Sequence, residues 1–400
     1  MQKILAGLTP GKGMLRLILA FSVMLFHTLN FFPLGHYAVF IFFVLSGYWI
    51  FKVYEENYST YKNAYWVYLR SRIMRIAFIY WLVLSIAIVA FFSSNGLTHS
   101  YSWQQFSFTE ILVKNLLLIG INTAPVMFVV PAWSLEVEIQ FYVLAPMLIW
   151  LHRKIAIQWQ LLFSIVLLLI LVAIIPIEKR FSQVFLYLPF FLAGAWLYYS
   201  QKVFSAKVAG WSLLTGLAVL MVHFFVPLLY AKLQVRTAPV FGLDHYQDQI
   251  NILLVVLTIP FLSRNLILPT VNSNDATWSS MAFVLYLIHW PLLRMYNAMM
   301  PLAGQHHFIY LMAYYLICIL AAYVISATAD RFFEELRRSW LHLMHLTDNK
   351  QAEFDGASPL IKEPEVIAAL RVVDRISNRQ MPAAKQLSDA TNDAIDSPMS

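Results

Sequence analysis

Long apolar runs that recur along the chain limit its fold more than any other feature. Ten runs approach the ~18 apolar residues that mark a membrane-spanning helix. Of the 400 residues only 12% are charged, whereas a soluble domain carries about 25%. The sequence therefore predicts an all-α, polytopic integral membrane protein with about ten transmembrane helices. The predicted spans are 15–34, 37–55, 74–93, 133–151, 159–176, 184–200, 208–230, 250–268, 279–299 and 308–327.

Basic residues indicate the orientation, because short cytoplasmic loops carry an excess of Lys and Arg. With the N-terminus in the cytoplasm, nearly every inner loop is more basic than its outer neighbours, and ten spans return the C-terminus to the cytoplasm. The net charge of +7 therefore reflects loops rather than a nucleic-acid partner. The inner basic residues are Lys52, Lys62, Arg70, Arg72, Arg75, Arg153, Lys154, Lys202, Lys207 and Arg264.

The composition divides the chain into a membrane domain, 1–345, and a polar tail, 346–400, which we expect to be disordered and cytoplasmic. Within the tail, an apolar island at 363–377 is expected to lie on the membrane or to dock on a partner. The segment 111–121 is apolar but short, so it predicts an interfacial or re-entrant piece. The single cysteine excludes a disulfide framework within the chain, and no metal-ligand cluster is visible.

Arg16 and His27 lie on one face of the first predicted span. They are eleven residues apart, about three helical turns, so their side chains line up roughly 16 Å apart along the axis. An ionisable group inside a bilayer is costly and is a functional-site hypothesis. The pair predicts a cation at the cytoplasmic mouth and a titratable base deeper in the membrane. The alternative is a structural histidine that bonds to a neighbouring helix.

Two glutamates fall in the first turns of the fourth predicted span, which enters from outside. Glu138 is predicted at the depth of His27, where a carboxylate can orient the imidazole. The alternative is that Glu138 merely benefits from the dipole of the helix N-terminus. For Glu136 we favour that alternative, a carboxylate wetted by solvent.

Two further motifs have both a structural and a functional interpretation. Arg72 and Arg75, in RSRIMRI, share a helix face and suit phosphate groups, although cytoplasmic basic charge explains them equally well. In VLSGYWI, Ser46 and the following glycine favour close helix packing, and Tyr48 is a candidate to point into a cavity.

The ninth predicted span contains YLIHWP, in which His289 precedes Trp290 and Pro291. The proline kinks the helix and frees a carbonyl one turn earlier. His289 is therefore a candidate either for stabilising the kink or for catalysis.

Together these residues resemble the acyltransferase-3 family of integral membrane acyltransferases, from Arg16 to about residue 330. Five motifs in the family's order carry the resemblance. They are Arg16-x10-His27, FFVLSGY from Phe42, RIMR from Arg72, WSLEVEIQFY from Trp133, and YLIHWP from Tyr286. The chain departs from the family at the end of the last span, where it reads DRFFEELRR without the family's frequent Glu-x-Pro.

The resemblance implies a ten-helix fold that transfers an acyl group, expected to be acetyl, from cytoplasmic acyl-CoA to a hydroxyl of an extracytoplasmic glycan. It implies that His27 is catalytic and that Arg72 and Arg75 hold the acyl-CoA. Our mechanistic hypothesis adds Arg16 to the acyl-CoA site and Glu138 as the catalytic partner that orients His27. Ser46, Tyr48, Trp133, Ser134 and His289 are further candidates for lining the site.

No permanently bound cofactor or metal is expected, and the expected partners are a glycan or lipid-linked glycan, the lipid bilayer and polysaccharide-synthesis proteins. The expected location is a bacterial inner membrane. One alternative is a transporter or flippase for a glycan or acylated lipid. An inverted repeat would favour that class, and the sequence does not show one. A second alternative is a sensor or scaffold.

Overall fold

A computed structural model of the protein describes residues 11–29, 34–94, 107–174, 184–225, 247–269, 274–299 and 307–354. These residues form helices and turns with no strand among them, so the all-α prediction is confirmed for them. The helices, in chain order, are α1 (Lys12–Thr28), α2 (Gly35–Val53), α3 (Ala64–Ser93), α4 (Phe108–Leu117), α5 (Trp133–His152), α6 (Ile157–Ile174), α7 (Val184–Ser200), α8 (Ala206–Phe225), α9 (Gln247–Ile267), α10 (Asp275–Met299), α11 (His307–Ile325) and α12 (Arg331–Phe354).

Six helical segments of the described chain are long and apolar enough to cross a membrane. Apolar runs of this kind fold as helices because a bilayer offers no other partner for backbone N–H and C=O groups. The prediction of a helical membrane protein is thus confirmed, whereas the count of ten spans stays a prediction. The six segments are Gly35–Tyr58, Ala64–Ser93, Val130–His152, Ile250–Ile267, Asp275–Met299 and His307–Asp348. The other four predicted spans coincide with α1, α6, α7 and α8.

Helices α1 and α10 pack side by side and run parallel. Near their first residues the backbone N–H of Gly13 donates to Asp275 Oδ1 at 2.7 Å, which satisfies one of the unpaired donors at the start of α1. Near the other end the rings of His27 and His289 lie 5.4 Å apart. Two helices that cross the membrane in the same direction must have an odd number of spans between them along the chain. The predicted topology places seven spans between α1 and α10, so it agrees with their parallel packing.

Two glycines let α2 and α7 touch backbone to backbone. A Cβ on Gly47 would lie 1.9 Å from the carbonyl oxygen of Phe191, and one on Gly194 would lie 1.9 Å from that of Val44. Such distances exclude any side chain larger than hydrogen at either position. The close helix packing predicted at the glycine after Ser46 is therefore present.

The segment between α3 and α5 is held by one buried amide. Helix α4 has ten residues, about 15 Å, which is too short to cross a bilayer. Asn115 is fully buried. Its Nδ2 donates to the carbonyls of Ile111 and Val126, both at 2.8 Å, and its Oδ1 accepts from the backbone N–H of Phe128 at 3.0 Å. The side chain thereby fixes the chain that leads into α5.

Glu136 corrects one sequence expectation. Its side chain is buried rather than wetted by solvent. Its carboxylate accepts hydrogen bonds from the backbone N–H of Gly120 at 2.6 Å and from Asn122 Nδ2 at 2.9 Å. These donors replace the solvent that the sequence analysis assumed, because the 118–123 turn folds over the start of α5.

The chain divides into two compact units, Met1–Ser59 with Asn63–Arg338, and Thr60–Lys62 with Ser339–Ser400. In the second unit the ring of Tyr61 lies 4.0 Å from that of His345. Helix α12 ends at Phe354, so residues 346–354, predicted as the start of a disordered tail, are helical. The rest of that tail, including the island at 363–377, lies outside the described residues.

Candidate functional site

A pair of stacked histidines lies inside the bundle where α1 meets α10. The rings of His27 and His289 are 5.4 Å apart and nearly parallel, at 23°. The indole of Trp290 meets the ring of His27 edge-on, at 5.2 Å and 76°. His289 is completely buried, whereas His27 is half-buried. The structure therefore gives the predicted base His27 a second imidazole and an indole as neighbours.

The hydrogen bond of His289 assigns its tautomer. Its Nδ1 lies 3.1 Å from the carbonyl oxygen of Leu285, and since a carbonyl only accepts, Nδ1 carries the hydrogen. The Nε2 atom then offers a lone pair, and it is buried without a partner among the described residues. The backbone carbonyl of His289 accepts from Tyr314 Oη at 3.1 Å, two residues before Pro291 in α10. His289 is thus held through its backbone and Nδ1, and its Nε2 is left available.

Cations gather at the opposite end of α1. The Arg16 guanidinium donates through Nη1 to Ser279 Oγ at 2.6 Å. The ring centroid of Trp49 lies 5.6 Å from Lys12 Nζ, 5.7 Å from Arg16 Cζ and 5.4 Å from Lys52 Nζ, within range of cation–π attraction. The sequence analysis missed Lys12, Trp49 and Lys52 as site residues, although Lys12 and Arg16 have the i,i+4 spacing of one helix face.

The two arginines of RIMR lie on α3 near this cationic group. Arg75 is exposed and interacts electrostatically with Arg16. Arg72 lies with its Cζ 5.9 Å from the ring of Tyr58, and its Nε is buried without a hydrogen-bond partner among the described residues. The structure thus brings the predicted residues Arg16, Arg72 and Arg75 to one end of the bundle.

Glu138 is placed differently from the sequence expectation. Its Oε1 accepts hydrogen bonds from Ser46 Oγ and Tyr142 Oη, both at 2.7 Å. Its charge also interacts with that of Arg16. Helix α5 packs against α2, and the described ring contacts of His27 are with Phe26, His289 and Trp290. The predicted role of Glu138 in orienting His27 stays a prediction, and no described contact joins the two side chains.

The remaining candidates are packed into the bundle. Tyr48 is 3% exposed and donates to the carbonyl of Leu266 at 3.3 Å, so it does not point into an open cavity. Ser134 Oγ and Tyr286 Oη are hydrogen-bonded at 2.7 Å, which ties α5 to α10 one turn before His289. Trp133 is half-buried, with its ring against aromatic rings of α2 and α7.

Within the described part of the chain, no three His, Cys, Asp or Glu side chains are grouped so as to hold a metal ion. The side chains described at the site carry imidazole, indole, carboxylate, guanidinium and ammonium groups.

These features define a polytopic helical membrane protein that carries ionisable side chains inside its bundle. A family model described as an acyltransferase domain, Acyl_transf_3, matches residues 13–329. That match covers most of the chain, so the protein belongs to the acyltransferase-3 family and is a membrane acyltransferase. It includes Arg16, Arg72, Arg75 and the histidine pair. No curated protein and no solved structure matches the chain.

Proposed function

We propose that the protein is an O-acyltransferase of a bacterial inner membrane. It transfers an acyl group from cytoplasmic acyl-CoA to a hydroxyl of an extracytoplasmic glycan, and the acyl group that we propose is acetyl. The acceptor that we favour is a surface polysaccharide or its lipid-linked precursor, delivered by polysaccharide-synthesis proteins. One observation carries the proposal: a single helix, α1, has cations at one end and, three turns further on, an imidazole, His27, that stacks on the buried His289 of α10.

The cationic end suits the phosphates of acyl-CoA. Arg72 and Arg75 supply guanidinium groups, which match phosphate geometry. Lys12, Arg16 and Lys52 converge on Trp49. Asp275 and Glu138 act on the charges of this group, and Glu56 lies 4.0 Å from Lys52. A bound phosphate would lower the repulsion that remains between the cations. The N-terminal end of α1 is thus the binding site that we assign to the donor, with the thioester reaching along the helix towards His27.

His27 is the base in the proposed reaction. It removes the proton from the acceptor hydroxyl, whose oxygen forms a bond to the thioester carbonyl carbon. The carbon–sulfur bond then breaks, and the CoA thiolate takes the proton from His27. In the alternative mechanism, the imidazole of His27 first attacks the thioester carbonyl carbon and displaces the CoA thiolate. The acyl group is then transferred from His27 to the hydroxyl, whose proton goes to the thiolate. Both routes give the same products.

The test compares the O-acetyl content of purified surface polysaccharide by proton NMR. Four strains are compared: wild type, a deletion strain, and the deletion complemented with His27→Ala or with His307→Ala. His307 is exposed at the start of α11 and serves as the matched control. We expect the O-acetyl signals to disappear in the deletion and His27→Ala strains and to remain in the other two, at equal protein levels.

Full acetylation in the His27→Ala strain would contradict the mechanism. Unchanged acetylation in the deletion strain would contradict the polysaccharide acceptor.

A further inference from the structure

Two buried polar atoms beside His27 have no partner among the described residues. They are Nε2 of His289 and Nε1 of Trp290. His289 is completely buried, and its Nδ1–H is already used by Leu285, so Nε2 can only accept a hydrogen bond. An indole Nε1–H can only donate. The site therefore presents one unused acceptor and one unused donor, on adjacent residues that both contact the ring of His27.

A buried polar group without a partner is costly, so such groups point to an absent ligand or water. A hydroxyl has the chemistry that complements both atoms, since it donates its hydrogen and accepts through its oxygen. The hydroxyl that is acylated gives its proton to His27, so a hydroxyl that donates to His289 is a different one.

We infer that His289 Nε2 and Trp290 Nε1 form a hydroxyl subsite. It binds a second hydroxyl of the acceptor, adjacent to the one that His27 deprotonates. This inference rests on the proposed function and narrows its substrate class to acceptors with neighbouring hydroxyls, as on a sugar ring. The subsite selects which hydroxyl of the acceptor reaches His27, because the neighbouring hydroxyl must lie on His289 and Trp290.

Three substitutions separate this role from support of the α10 kink. His289→Asn keeps an N–H near Nδ1 for the Leu285 carbonyl but removes the acceptor at Nε2. His289→Gln, whose side chain is longer, returns an amide oxygen to the region of Nε2. Trp290→Phe keeps an aromatic ring beside His27 and removes the N–H donor together with part of the indole ring. Trp211→Phe, at a tryptophan that is 70% exposed, is the matched control.

The experiment uses the full-length protein, purified in detergent, with acetyl-CoA and the unacetylated polysaccharide of the deletion strain. The rate gives kcat and KM for each substrate, and NMR of the product gives the position of each acetyl group. For His289→Asn and Trp290→Phe we expect KM for the polysaccharide to rise about tenfold, the loss of one hydrogen bond. The KM for acetyl-CoA should stay unchanged, and acetyl groups should spread to other hydroxyls. His289→Gln should recover part of the positional selectivity.

A merely structural role predicts something else: lower yield or lower kcat with the acetyl position unchanged. Wild-type KM and wild-type selectivity in both His289→Asn and Trp290→Phe would overturn the inference and leave the proposed function intact. Absence of transfer by the wild-type protein would overturn the proposed function, and the subsite with it.

Discussion

At the scale of single residues, two carboxylates at the start of α5 have partners outside their own helix. Glu136 holds the turn at Gly120 and Asn122, and Glu138 accepts hydrogen bonds from Ser46 of α2 and from Tyr142 one turn further along α5. The sequence analysis predicts Glu136 in solvent and Glu138 level with His27. It does not predict which element outside α5 supplies the donors, because that depends on how each helix is rotated about its axis and on how the 118–123 turn folds.

Replacement of Glu138 tests this hydrogen-bonded cluster. Glu138→Leu leaves the hydroxyls of Ser46 and Tyr142 without an acceptor, at about 1–3 kcal/mol each. We expect Tm of the purified protein, followed by tryptophan fluorescence in detergent, to fall by at least about 3 °C. Glu138→Gln retains an acceptor oxygen, so we expect its Tm to fall less.

Glu110→Gln is the control, because Glu110 is exposed and pairs only with Lys114 one turn away. Exposed pairs of this kind contribute at most about 1 kcal/mol. If Glu138→Leu melts at the wild-type temperature, the cluster does not stabilise the fold.

At the scale of elements, the helices pair through features of two kinds. Helices α2 and α7 meet at glycines, whereas α1 and α10 meet through polar contacts at one end and stacked histidines at the other. Apolar composition is nearly uniform along these helices, so it drives insertion into the membrane without choosing partners. Small residues and polar side chains supply the specificity.

The glycine contact gives a direct prediction. Gly47→Ala would place a methyl group 1.9 Å from the backbone oxygen of Phe191, so α2 and α7 must separate and lose their packing. We expect a sharp loss of folded protein, measured by size-exclusion chromatography of a fluorescent fusion. Gly210→Ala is the matched control, since no atom lies within 4 Å of the added carbon. It should be neutral or slightly stabilising, because alanine favours a helix interior over glycine by about 1 kcal/mol. Equal yields from the two variants would contradict the proposed packing.

At the scale of the whole molecule, orientation in the membrane connects the site to its substrates. The parallel packing of α1 on α10 agrees with the predicted alternation of spans. A donor site on the cytoplasmic side and an acceptor site near the outside both require the N-terminus of α1 to face the cytoplasm.

Cysteine labelling tests that orientation, because the native Cys318 is completely buried and should not react. Glu110→Cys and Lys154→Cys each add an exposed thiol, on segments predicted to lie outside and inside respectively. In spheroplasts treated with a membrane-impermeant maleimide, we expect Glu110→Cys to be labelled. Lys154→Cys should be labelled only after lysis. The reverse pattern would invert the topology and contradict the assignment of the donor side.

The sequence by itself determined the helical membrane class, the approximate positions of the helices that coincide with the predicted spans, and the family. These features depend on local composition, on backbone hydrogen bonding within each helix and on motif order, none of which requires knowledge of distant contacts. It also determined that Arg16 and His27 share a face, because helical periodicity is local.

Only the tertiary structure decided that His27 meets His289 and Trp290, that Glu138 bonds to Ser46, and that Lys12 and Arg16 of α1 meet Trp49 of α2. Those contacts join side chains from different helices. They depend on which helices pack together, on how each helix is rotated about its axis and on how far one is shifted along the other. The spacing of residues within one helix carries no information about these quantities.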